Sequence, residues 1–519
     1  MATAISNIQF PELLFGFVSP VGVDLKPAVA AFRRFLEGEE YTVEEIKVTD
    51  TFDFFKDVIA PKKTLVPAPM KERYATYIAY GNQLRAFFDD DSILAALAVG
   101  QVMRGRQKKK RQTGSDNFSK KAYLIYQFKR REEIELLRSV YGRLFFQVSV
   151  YSRRGARVDY LSRKFSENQH IPGAPRYRSD AESLVQQDEN EIDVDHGQRV
   201  ATVFHDADFI LNTDLNSPSA EAQVHRFCEL IFNSNSISPT KFEYGMFLAK
   251  AAALRTLDLS RQVGVAIFSQ TGEIISLGSN EVPKALGGTY WSDDQLDDRE
   301  YVRGHDSNDK RKREILREIL EAIDPKIEND ALLNKKEIID SQFMDALEYG
   351  RIVHAEMSAI SDAARNGHAI RDAILYSTTF PCHMCAKHIV AAGISKVVFL
   401  EPYPKSLASD LHSDSIEIEG SDRGQYSKFP AVRFEHFFGV TPRRYRDLFE
   451  RSKRKSATGE FQQYKDGIKR PFIDIKAPFY FELERFVIRS AVEELARRVN
   501  KRTTPKSKKN QKPVTRRRR

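Results

Sequence analysis

The chain of 519 residues is 41% hydrophobic and 29% charged, long enough for two domains or three, each with its own core. No run approaches the roughly 20 apolar residues of a membrane span, and the first 15 residues lack the basic start and apolar stretch of a secretory signal, so a cytoplasmic protein with no membrane partner is expected. Three cysteines, Cys228, Cys382 and Cys385, exclude a disulfide framework, and the net charge of +9 sits in an appendage: the last 19 residues hold ten Lys/Arg and no Asp/Glu.

In chain order, Glu12 to Asp24 reads as a buried strand (LLFGFVS) running into a Pro/Gly turn, followed by a helix over Lys26 to Leu36 and an extended YTVEEIKV. The basic run RGRQKKKR, Arg104 to Arg111, is expected in an exposed loop. Strands are expected at Lys121 to Gln127, at LFFQVSVY and at Asp208 to Leu211, with a helix, EEIELLRSVYG, before the second. Strands alternating with helices imply a parallel sheet covered on both faces, and SNSISPT near Asn235 reads as a linker.

A second alternation follows. VGVAIFS and IISLG flank Gln270-Thr271-Gly272 as a hairpin, and a polar insertion, about Gly287 to Gln342, reads as surface helices and loops. Helical spacing covers Ile352 to Arg365 and Cys382 to Ala392, with strands at Ala373 to Ser377 and Val397 to Glu401. The expected fold class is α/β throughout. The expected domains are 1–235, 240–450, a helical extension over 451–500, and a disordered basic tail over 501–519. For that tail the weighed readings are an RNA or other polyanion as partner, and a solvated appendage.

The chemistry concentrates in two short stretches. His354-Ala355-Glu356 opens one helix, and Pro381-Cys382-His383-Met384-Cys385 opens another. One imidazole and two thiolates give the three protein ligands of a catalytic zinc site with an open fourth position. Cys382 and Cys385, three apart on a helix's first turn, point the same way. Glu356 is near the metal without being an obvious ligand, which suits a proton shuttle. H-x-E with P-C-x-x-C is the general signature of zinc deaminases acting on nucleobases. The bland alternative is a structural zinc site with Glu356 a surface carboxylate. His383 and His388 are read as non-ligands.

From about Thr240 to Phe449 the stretches LSRQVGVAIF, GSNEVPK, VHAEMSAI, STTFPCHMCAKHIVAAGISKVVFLEPYPKS and FFGVTPRRY resemble the deoxycytidylate deaminases. The resemblance implies a cytidine-deaminase-like α/β/α domain with a mixed sheet of about five strands. It implies Zn2+ as cofactor and hydrolysis of the cytosine 4-amino group in a deoxycytidine nucleotide, dCMP or dCTP. It also implies that Asn280 and Arg261 contact the sugar or phosphate, with a strand-end turn residue and a helix C-terminal charge as the alternatives, and that the protein is a homo-oligomer; Tyr403 and Lys405 follow the last core strand, where the pocket rim is expected.

For the first domain, Gly16 to Gly22 after an apolar strand is similar to a phosphate-binding loop but fails its pattern twice. Five residues separate the glycines, and Val23-Asp24 stands where Lys-Ser/Thr belongs. Arg153, Arg154 and Arg157 occur where deoxynucleoside monophosphate kinases place lid arginines, and HDADFILNTD resembles their final strand. The expectation is a P-loop-kinase-like parallel α/β domain that has lost catalysis. Gly16, Gly22, Arg153 and Arg157 are its nucleotide-binding candidates, and a regulatory nucleotide is its partner; an ordinary tight turn and a solvated charge cluster are the alternatives. Fused to such a deaminase domain, it resembles the bacterial anti-phage dCTP/dCMP deaminases. Two other readings stand beside this one: a deaminase of tRNA or single-stranded DNA, which needs a basic, aromatic-lined groove, and a non-enzymatic nucleotide sensor.

Overall fold

The computed structural model describes residues 8–113, 119–167, 177–190, 199–215, 218–325, 329–403, 406–451 and 453–503. Two six-stranded sheets organise them. The first is built from β1 (Leu13–Val18), β2 (Thr42–Lys47), β3 (Lys121–Phe128), β4 (Phe145–Tyr151) and β5 (Phe209–Asn212). These run parallel in the order β5-β4-β1-β3-β2. Every residue of β1 is buried, as a strand covered on both faces requires.

The second sheet contains β6 (Gly264–Phe268), β7 (Ile274–Ser279), β8 (Ile374–Thr379), β9 (Lys396–Glu401), β10 (Ile416–Ile418) and β11 (Val432–His436), in the order β10-β11-β9-β8-β6-β7. It is mixed: β6 runs antiparallel to β7 and β8, and the other pairs are parallel. The insertion carries one long helix, Ser307–Ile323, and the short helices Glu300–Arg303, Asn329–Leu333 and Lys336–Ile339.

The halves are not simply consecutive. After β11 the chain crosses over, and β12 (Gly439–Val440) pairs antiparallel with β5, so the first sheet is mixed rather than all parallel. The capping-box glutamate Glu243, at the start of helix Lys241–Ala253, accepts a hydrogen bond from Val440 N at 2.9 Å. Asp208 gathers Arg444 and Arg138, each at 3.1 Å. The first sheet's core cluster accordingly takes in Met246 and Ala249 of helix Lys241–Ala253 and Phe268, Tyr376 and Val398 from one face of the second sheet. The other face has a core of its own around Ile267, Leu375, Ile389 and Val397.

Two expectations need correcting here. The Arg104 to Arg111 run lies in helix Ile93–Thr113 rather than in a loop. The apolar start of that helix buries Val99 and Val102, and Arg106 turns inward to pair with Glu12 and Glu484. Among the described residues the C-terminal extension is α-helical only over Tyr480–Thr503, which packs back on helix Ile93–Thr113. The basic tail from residue 504 onward lies outside the described residues. Among the described residues no helix is long and apolar enough to cross a membrane.

Candidate active site

Two helix starts carry the site. His354 is the N-cap of Ala355–Arg365 and Cys382 the N-cap of His383–Ala391, with Cys385 a turn further along. The first helix begins three residues later than its spacing suggests, because Val353 is still held extended by a bridge to Glu281. Both N-caps follow extended segments at the same end of the sheet, so the two orphaned N–H turns face one cleft.

The ligand atoms of His354, Cys382 and Cys385 lie within 4.8 Å of one another. Both sulfurs stand 3.4 Å from His354 Nδ1. Zinc–sulfur bonds of about 2.3 Å and zinc–nitrogen bonds of about 2.0–2.1 Å at a tetrahedral angle place S and N about 3.5 Å apart, so the three donors fit the ion. A hydrogen bond from Cys385 and another from His354 hold the Cys382 thiol below its ordinary value. Cys385, the proton-bearing partner of Cys382 and itself buried, moves up.

Glu356 is buried at 4% exposure. Burial, with the neighbouring Cys382, raises its carboxyl above the usual range, while His354 pulls the other way. His383 and His388 do not join the donor cluster.

A cleft of about 200 Å³ opens over these groups, with Arg261, Asn280, Thr379, Phe380 and Tyr403 in its walls. Arg261 lies 4.9 Å over the Tyr403 ring and 3.5 Å from the Glu401 carboxylate, with its side chain 41% exposed. Asn280 is committed to the protein: Oδ1 accepts from Val263 N at 2.8 Å, and Nδ2 donates to Asp258 Oδ2 at 2.5 Å and to Arg261 O at 2.8 Å. It shapes the 258–263 loop and, through it, the placement of Arg261. Lys405 lies outside the described residues.

Sequence reasoning missed Asp258 and Leu347, which also line the cleft. Asp258 was detectable as the first residue of an Asx turn, its Oδ1 accepting from Ser260 N at 2.7 Å. Leu347 arrives with the end of the insertion and had no local signal. Glu281, 3.6 Å from the buried Arg299, accepts from Leu257 N at 3.0 Å, so the insertion braces the same loop.

The first-half candidates sit differently from expectation. Gly16 lies inside β1, where an added Cβ would stand 2.5 Å from the Phe145 ring, so this glycine serves strand packing rather than a loop. Gly22 does occupy the following turn, at φ +91°, packed on the Arg157 backbone. Arg157 is buried beneath that turn, its Nη1 3.5 Å from Val21 O. Arg153 pairs with Asp214 at 3.2 Å and packs on Gly420 of the second half. Neither arginine lines the adjacent cavity; its cations are Arg73, Arg85 and Lys129.

Residues 239–401 match the family model described as the cytidine and deoxycytidylate deaminase zinc-binding region. That segment spans the hairpin, both helix starts and β9. Deoxycytidylate deaminase of Enterobacteria phage T2 is 50% identical over 54 residues, 10% of this chain and 29% of the phage protein. The Homo sapiens deoxycytidylate deaminase is 27% identical over 175 residues, 34% of this chain and 68% of the human protein. The chain thus spans under a third of the phage relatives it matches. The crystal structure of cyanophage S-TIM5 dCMP deaminase in complex with dCMP and dUMP is 16% identical, covering 38% of this chain and 98% of that one, with a TM-score of 0.23.

Proposed function

We propose that this protein is a zinc-dependent hydrolytic deaminase of deoxycytidine nucleotides, dCMP or dCTP. The observation that carries the reading is the convergence of His354, Cys382 and Cys385 with the buried Glu356 at the floor of one cleft. The three donors would hold zinc with a position left open, and zinc when bound supplies a Lewis acid that lowers the pKa of a coordinated water. Glu356 would accept a proton from the attacking water and pass it to ring N3, and would then take the proton of the new C4 hydroxyl and pass it to the departing 4-amino group. Its burial excludes competing water and holds the carboxylate in place. Phe380 and Leu347 supply apolar walls for the ring, and Arg261, set on Tyr403 and braced by Asn280, meets the phosphate.

The two-part chain supports a further reading: depletion of the dCTP pool as an anti-phage defence. On that reading residues 1–235 form a sensing or assembly module, and 240–450 hold the chemistry. Exposed Leu254, Leu286 and Leu296 on the deaminase half suit a homo-oligomer.

Release of uracil nucleotide from dCMP, dCTP, CMP and a cytosine-containing oligonucleotide at equal concentration tests the reading. Turnover of a deoxycytidine nucleotide and not of the oligonucleotide supports it. Turnover of the oligonucleotide alone overturns it.

A further inference from the structure

The loop that carries Arg261, residues 254–263, joins helix Lys241–Ala253 to β6 without helix or strand of its own. Two neighbouring residues just past β7 give it a shape. Thr256 Oγ1 donates to Asn280 O, and the Asn280 amide bonds Val263 N, the Asp258 carboxylate and the Arg261 carbonyl. Leu257 N donates to Glu281 Oε2 at 3.0 Å.

Glu281 is tied in two further directions. Its main chain bridges Val353: Glu281 N donates to Val353 O at 3.2 Å, and Val353 N donates to Glu281 O at 3.1 Å. Val353 immediately precedes His354. One residue therefore holds the entry to the donor cluster with its backbone and the Arg261 loop with its side chain.

The third tie is to the insertion. Glu281 is 1% exposed, and a carboxylate buried so deeply needs a counter-charge. Arg299, 2% exposed, provides it with Nη1 at 3.6 Å from Oε2, and is itself clamped by Asp297 at 2.6 Å. The adjacent Asp298 accepts from Arg351, three residues before His354, at its main-chain oxygen (2.9 Å) and at its carboxylate (3.0 Å). The insertion thus grips both the strand that enters His354 and the residue that shapes the Arg261 loop. Glu281 stands behind the cleft wall rather than in it, so its effect on a bound substrate runs through other residues.

We propose that Glu281 is a positioning residue for phosphate recognition: it sets Arg261 at a fixed distance from the donor cluster, with Arg299 as its counter-charge. The inference rests on the reading of Arg261 as the cation that meets the substrate phosphate. A guanidinium displaced by an ångström loses most of an oriented contact, and the anchor at Leu257 N is what Glu281 adds to those made by Asn280.

The test is steady-state deamination of dCMP, dCTP and deoxycytidine by the full-length, zinc-loaded protein, with affinity for dUMP and dUTP measured by calorimetry. Glu281→Ala is expected to raise KM for the nucleotide substrate about ten-fold and to weaken its uridine product alike, with kcat and deoxycytidine turnover within about two-fold of the parent. Zinc content should stay at one equivalent. Glu281→Gln keeps an oxygen for Leu257 N–H and should stay within about three-fold of the parent. In an Arg261→Ala background, Glu281→Ala should change nothing further, since residues that act through one contact are not additive. Should melting curves show the alanine variant unfolded, Glu281→Asp, a methylene short of Leu257 N, carries the same expectation. Equal losses on nucleotide and deoxycytidine, additivity with Arg261→Ala, or product affinity indifferent to the substitution overturns the proposal. A parent that binds dUMP or dUTP but deaminates no cytosine nucleotide overturns the deaminase reading instead, and the product affinities still decide this one. A parent that neither binds nor turns over a nucleotide overturns both.

Discussion

Gly278 and Ala355 are packed so closely that a Cβ on the glycine would stand 2.2 Å from the Ala355 carbonyl oxygen and 2.5 Å from Ala359 N. The β7 backbone therefore meets the first turn of the helix that follows His354, and this contact sets the depth at which His354 and Glu356 enter the cleft. Gly278→Ala forces the helix outward, at a cost of about 1–3 kcal/mol for overpacking. Reduced zinc content and a fall in deamination larger than the fall in stability are expected, checked by metal analysis beside a melting curve.

On the proposed reading Glu356 is a proton carrier and not a ligand. Glu356→Ala and Glu356→Gln should each lower kcat by about 10²–10⁴-fold while zinc remains bound at one equivalent. Metal analysis of the purified variants decides the point, since loss of zinc would make Glu356 part of the donor set.

Removing the metal should abolish activity and zinc should restore it. Cys228 offers an internal control, being fully buried, with burial pushing its thiol well above the usual value. A thiol reagent applied after chelation is expected to modify Cys382 and Cys385 and leave Cys228 untouched. Peptide mapping reads this directly.

Arg106 closes the chain on itself, pairing with Glu12 at 2.9 Å and Glu484 at 2.6 Å, and Tyr480 adds a hydrogen bond to Glu12 at 2.8 Å. Arg106→Leu leaves two buried carboxylates without a counter-charge, a loss on the order of 3–5 kcal/mol. Chemical denaturation should show it, with helix Tyr480–Thr503 becoming sensitive to proteolysis before the zinc half unfolds.

His436 gives the fold an acid sensitivity. It is buried where the chain leaves β11 for β12, stacked at 4.9 Å on Tyr151, and burial lowers its imidazole to about 4. A histidine whose folded value lies below its unfolded one contributes stability above the unfolded value and loses it as pH falls. The window is thus from about 6.5 to about 4, with a total of about 3 kcal/mol. Melting temperatures across that range should fall for the parent protein and fall less steeply for His436→Phe.

Arg261 is the cation expected to meet the substrate phosphate. Arg261→Ala should raise KM for the nucleotide about ten-fold or more while leaving turnover of deoxycytidine unchanged. Equal losses on nucleotide and nucleoside would make its contact with Tyr403 structural.

The donor set and the order of elements around it were legible in the amino-acid order alone. A His/Cys/Cys donor cluster made from two helix starts is local chemistry. His354 with Glu356, and Cys382 with Cys385, are fixed relative to each other by one turn of backbone, and the flanking apolar strands announce the layers. Buried β1, β3 and β4 were legible for the same reason, as short continuous apolar runs. Contacts between residues far apart in the chain carried no such local signal. Asn280 spends its amide on a loop some 20 residues upstream. Gly16 answers to Phe145 rather than to a phosphate, and Asp188 fills the turn after β1 from a helix 167 residues away. Tyr480 reaches Glu12 across 468 residues. A charged or small residue reads the same in sequence whether it faces water, a ligand or a buried partner. Its role is fixed only when folding chooses its neighbour.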